Sequence, residues 1–114
     1  MNTQTKRKKT KAPHAKSPAL ERQLLVRMRK YEALTGKALK KIKVSKNLGE
    51  KEKAVALDFL QMAQAYFSDA KYFKGKKDLL LALAAFSYAH AWLDAGVRAR
   101  LFNAGKDDRL FTLP

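Results

Sequence analysis

The chain contains no cysteine. That excludes a disulfide framework, a thiolate metal site and a cysteine nucleophile. Histidine is scarce, with only two residues, and acids number ten against 25 lysines and arginines, for a formal charge of +15. Long hydrophobic runs are also missing. The longest stretch free of formal charge, apart from His90, is Leu79–Leu93, short of the ~20 residues a membrane span needs. "KRKKTK" near the start is not followed by an apolar stretch, so nothing there resembles a signal peptide. A soluble, cytoplasmic protein with no membrane partner is the expectation. At 114 residues one domain is all the chain supports, with roughly 60–65% of its unfolded surface available for burial.

The charge is concentrated in the first half. Residues 1–53 hold seventeen cations against four glutamates, whereas residues 54–114 hold eight against six aspartates. A near-neutral half joined to a cationic half suggests a folded core carrying a polyanion-binding device. Residues 1–16, "MNTQTKRKKTKAPHAK", are cationic and almost devoid of apolar side chains. Such a segment cannot bury enough surface to offset its ordering entropy, so the reading is a disordered basic tail.

Residues 17–114 read as one helical domain. Ser17–Pro18 forms an N-cap with proline at the first helical position. From there Leu20, Leu24, Met28, Tyr31, Leu34, Ala38 and Ile42 recur at three- and four-residue steps, a single apolar stripe on a helix of about 18–44. Arg22, Arg29, Lys30, Lys37, Lys40, Lys41 and Lys43 fall on the other side. "SKNLGE" is the turn into a second helix, about 50–73, carrying Val55, Leu57, Leu60, Met62, Tyr66, Phe67, Ala70 and Phe73. Gly75 suits a left-handed C-cap there, and Asp78 suits the N-terminus of a third helix, about 78–102. That helix is apolar nearly all round, which marks the central member of a bundle. Ala82, Ala85, Ala89 and Gly96 offer surfaces for close helix approach, and Leu110, Phe111 and Leu113 should fold back onto an apolar seam. No strand is expected. The fold class is all-α, an antiparallel three-helix bundle.

"AYFSDAKYF" (65–73), the Gly75–Asp78 turn, "YAHAWLDAG" (88–96) and "DDRLF" (107–111) together resemble the archaeal family catalogued as domain of unknown function 357. The likeness spans roughly residues 20–113. It implies a small antiparallel helical bundle, spectrin-repeat-like in arrangement, and carries no established activity with it. A weaker similarity to a tetratricopeptide hairpin, in "YFSDAKYFKGKKDLLLALAAF", involves one helix pair and reads as convergence on helix-pair packing.

Three constellations compete for function. His90, Asp94 and Arg98 share a helical row. As chemistry they would be an acid–base pair or two metal ligands, but no nucleophile or further ligand accompanies them. Their structural reading is an Asp94–Arg98 ion pair with His90 bonded to a tyrosine or a carbonyl. Tyr66, Phe67, Tyr72, Phe73, Phe86, Tyr88 and Trp92 could stack bases, yet their three- and four-residue spacing reads as core, with Tyr88 and Trp92 at its edge. The cations differ from an ordinary solvated face, which mixes signs: residues 6–46 hold fifteen of them and only Glu21 and Glu32.

The expectation is therefore a non-enzymatic RNA-binding protein, associated with the ribosome or another large RNA particle. It would touch rRNA phosphates through Lys6, Arg7, Lys8, Lys9, Lys11 and Lys16 of the tail and Arg22, Arg29, Lys30, Lys37, Lys40 and Lys41 of the first helix. Such contacts position without reading sequence. Ribosomal proteins are candidate neighbours, and no cofactor, metal or small-molecule ligand is called for. The alternatives are a DNA-coating, chromatin-type protein, a helical protein–protein adaptor, and an enzyme built on His90 and Asp94.

Overall fold

The computed structural model describes residues 17–114; the expected disordered tail and its six cations lie outside the described residues. The architecture is an all-α bundle of three helices running up, down and up. Helix α1 spans Pro18–Lys41, α2 Glu50–Gly75 and α3 Leu79–Arg98. Helix α3 packs on both other helices. Helices α1 and α2 barely meet, chiefly through a Lys74–Glu32 ion pair of 2.9 Å and the approach of Phe67 to Gly36.

The termini follow local chemistry. Ser17 Oγ accepts from the Leu20 N–H at 3.4 Å, with Pro18 behind it. The Glu52 carboxylate accepts from the Gly49 N–H ahead of α2, and Asp78 caps α3 through the Leu81 N–H at 3.2 Å. Gly75 is not the left-handed cap that the sequence suggests. Gly75 is instead the last helical residue, and the left-handed residue is Lys77, at φ 62°. Lys77 N–H bonds to the Lys74 carbonyl and Asp78 N–H to the Phe73 carbonyl, the paired bonds of a Schellman motif. The same pattern closes α3, with Arg100 at φ 63° and the Arg100 and Leu101 N–H groups bonded to Val97 and Gly96.

Both α1 and α3 are shorter than expected at their C-termini, because the chain beyond each enters a small strand pair that periodicity did not reveal. Strand β1, Lys43–Val44, lies antiparallel to β2, Phe102–Asn103, with Val44 opposite Phe102. The ladder ties the α1–α2 connection to the exit of α3. Phe102 packs closely against Gly96, where an added Cβ would come within 2.3 Å of the ring.

The interior is rich in alanine. Ala56, Ala63 and Ala70 are fully buried at seven-residue intervals on α2, as are Ala82 and Ala89 on α3. This spacing holds two helices at close range along one seam. Two apolar clusters result. Met28, Ala70, Ala82, Ala85 and Phe86 form one near the α2–α3 turn. Leu93, Val97, Leu101, Phe102 and Phe111 gather with Ala38, Ala56 and Ala63 at the other end, where Leu110, Phe111 and Leu113 fold back as anticipated.

The apolar stripes contain exceptions. Leu20, Val55 and Leu57 are exposed, and so are Tyr72 and Tyr88, both expected in or beside the core. Helix α3 is not surrounded either. Leu80, Leu81 and Tyr88 face solvent, because two helices and a C-terminal segment cover only part of its circumference. By length and composition α3 is apolar enough to cross a membrane, although it carries Asp94 and Arg98 and supplies much of this bundle's core.

Candidate nucleic-acid interface

Helix α1 docks on α3 through Met28, Thr35 and Ala38, which are fully buried. At 3.6 residues per turn this fixes the direction of every other side chain. Arg22, Arg29, Lys30, Lys37, Lys40 and Lys41 are all exposed and fall within an arc of about 120° opposite the docking side. Arg22 to Lys41 covers about 29 Å of helix. Glu21 and Glu32 lie off this arc, toward α2, where Glu32 is bound to Lys74. The two acids of α1 thus lie off the cationic arc, although Glu32 also lines the α1–α2 groove beside Lys37 and Lys40.

The structure also changes the membership of the set. Lys41 is held by Asp107 at 2.6 Å. The bond from that ammonium, helped by the backbone N–H groups of Leu110 and Arg109, lowers the Asp107 carboxyl below its usual value of 3.8. Lys41 is therefore partly neutralised within the fold. Two cations absent from the expected set join it. Arg27 is exposed about 40° beyond one edge of the arc, and its place was legible in the same helical periodicity. Lys71 of α2 lies beside Lys37 and Lys40 along a shallow groove of about 390 Å³ between α1 and α2, floored by Gly36 and Phe67. Its ammonium stands 5.4 Å from the Phe67 ring centroid. No periodicity within α1 could have revealed Lys71, because it belongs to the neighbouring helix. Among the described residues, Arg22, Arg27, Arg29, Lys30, Lys37 and Lys40 have no carboxylate partner.

The His90 row has a different arrangement. The His90 ring is buried between α1 and the C-terminal segment, with Nδ1 3.1 Å from Thr35 Oγ1 and Nε2 2.6 Å from the Leu110 carbonyl. When Nε2–H donates to Leu110, Nδ1 is left to accept from the Thr35 hydroxyl. Phe111 stacks on the ring at 6.3 Å. The expected Asp94–Arg98 ion pair does not form. Asp94 instead accepts from the Thr112 N–H at 2.8 Å, and Arg98 donates to the Leu113 carbonyl at 2.8 Å. His90, Asp94 and Arg98 each hold one successive part of the C-terminal segment against α3. Among the described residues no three of His, Asp and Glu gather as metal ligands.

The aromatic side chains pair mainly across the α2–α3 seam: Phe59 with Trp92 at 5.0 Å, Tyr66 with Tyr88 at 5.3 Å and Phe67 with Phe86 at 5.3 Å. These contacts make most of them packing groups, with Tyr88 at the open end of its pair.

Fold and surface together define a small antiparallel helical bundle with a cationic outer helix. The chain belongs to the family described as "Protein of unknown function (DUF357)", whose model matches residues 30–102. That stretch takes in Lys30, Lys37, Lys40 and Lys41 but leaves out Arg22, Arg29 and the 107–111 motif, so it is shorter at both ends than the likeness drawn from the sequence. No curated protein and no solved structure matches the chain.

Proposed function

We propose that the protein is a non-enzymatic RNA-binding protein that grips phosphates with the outer face of α1 and with the basic tail, in association with the ribosome or a comparable RNA particle. The observation that carries this reading is the sorting of charge on α1. Six exposed cations without carboxylate partners among the described residues occupy one face, and the two acids of the helix lie off it. A face kept free of counter-charge suits a polyanion, whose condensed counterions are released on contact. Single-point lysine and arginine contacts favour positioning on a backbone over reading of bases. An enzymatic reading draws little support from His90, which is 7% exposed and has both ring nitrogens engaged.

Co-sedimentation of the native protein with ribosomal subunits, at low and high salt, tests the proposal. Salt-sensitive association is expected. Competition between RNA and duplex DNA then separates the RNA reading from a DNA-coating role. Failure to bind either polyanion at low salt removes both.

A further inference from the structure

The groove between α1 and α2 stays open because both helices pack on α3 and barely on each other. Its floor is the half-buried Phe67 ring beside Gly36, and Lys37, Lys40 and Lys71 stand around it. A Cβ added at Gly36 would meet only the Phe67 ring, at 3.6 Å, so glycine leaves room over the ring there. The T-shaped contact with Phe86 at 5.3 Å uses at most one face of that ring. Another lies beneath the exposed Lys71 ammonium, 5.4 Å from the centroid.

The charges of α2 are sorted as those of α1 are. Lys71 and Lys74 lie on the side turned to α1, whereas Asp58 and Asp69 lie roughly opposite them around the helix. Glu32, the acid that lines the groove, is met through both oxygens by the Lys74 ammonium, at 2.9 and 3.1 Å, so its charge is countered. Arg22 and Arg29 continue the line of Gly36 and Lys40 along α1, toward the end where the basic tail attaches. A cationic track thus runs about 27 Å from Arg22 to Lys40, with an apolar well beside its inner end.

We propose, on the RNA-binding reading above, that this groove takes a single RNA strand, with one base laid on the free face of Phe67 and the neighbouring phosphates held by Lys37, Lys40 and Lys71. A well of about 390 Å³ falls within the range of pockets that hold small organic groups, about 300–1,000 Å³. A base within a duplex is already stacked on both sides and cannot reach the ring, whereas an unpaired base can turn into the groove. Duplex RNA, with its phosphates on the outside, meets the outer face of α1 alone. On binding, the Lys71 ammonium yields the ring to the base and passes to a phosphate, which exchanges a cation–π contact for an ionic one. Stacking on an aromatic ring tolerates any base, in keeping with contacts that position without reading sequence.

Fluorescence polarisation of the full chain at low salt tests this, with an oligouridylate of about ten nucleotides and an RNA duplex as probes. Both should bind. Gly36→Leu fills the groove while keeping every charge and every core side chain, so single-strand affinity should fall about ten-fold and duplex affinity should hold. Phe67→Leu keeps an apolar floor without the ring and should give the same split, with urea denaturation checking that each variant is folded. A folded Gly36→Leu chain that binds the oligouridylate as tightly as the native chain overturns the proposal and leaves RNA binding itself standing. So does an equal loss for both probes. If the native chain binds neither probe, the RNA-binding reading fails and the groove's role fails with it. An oligoglutamate of the same length that competes as well as oligouridylate, and loses its hold in Gly36→Leu, would assign the groove to an acidic protein segment instead.

Discussion

Among the described residues, Thr35 and His90 are the two buried polar side chains in an otherwise apolar interior, and they join α1, α3 and the C-terminal segment. Removing the imidazole leaves the Thr35 hydroxyl without its ring partner and the Leu110 carbonyl without its donor. His90→Ala should therefore cost about 1–3 kcal/mol, measured by urea denaturation, and loosen the segment around Phe111. Lys77 offers the opposite case. A side chain in the left-handed region carries strain that glycine lacks, so Lys77→Gly should raise stability by up to about 1 kcal/mol, read from the thermal midpoint. Both sites were partly legible. "YAHAWLDAG" marked a seam, and it is one, because polar groups four apart on a buried helix must find partners. Their identities were not legible. Thr35 is 55 residues from His90 and Thr112 is 18 from Asp94, and tertiary folding alone brings them together.

At the scale of elements, α1 separates packing from charge. Its docking residues and its cations occupy opposite sides, so replacing Arg29, Lys30, Lys37 and Lys40 by glutamine should leave helicity intact. Nucleic-acid binding should weaken about equally across sequences in a filter or polarisation assay, with a flatter salt slope. Unchanged binding together with lost thermal stability would show instead that the basic face packs against protein. The three helices were readable because each carries an apolar stripe at helical spacing. The two-residue strands were not, since so short a ladder has no period. Nor was the bare side of α3. A helix apolar all round announces burial, but how much of it is covered depends on how many neighbours the fold supplies, and here two helices and a short segment leave one side open.

Over the whole molecule the uneven charge becomes a division of labour, with a near-neutral framework supporting a cationic periphery. The six cations of residues 1–16, if they meet phosphates, should contribute about −4 to −5 to the log–log salt slope of RNA binding. Deleting the tail should flatten the slope by that amount and leave the melting temperature nearly unchanged, as paired binding and calorimetry would report. A separate consequence follows from the sparse meeting of α1 and α2. Helices α2 and α3 are neighbours in sequence, joined by a tight turn and an alanine seam, whereas α1 reaches α3 across some fifty residues of chain, as from Thr35 to Phe86. The hairpin can form locally and early, while α1 must close a long loop to dock. The same order holds in reverse for opening: α1 should lift away before the hairpin comes apart, and its amides in native-state hydrogen exchange should lose protection at a lower free energy than those of α3. The part of the molecule that carries the charge is thus also the part that can come free while the rest stays folded.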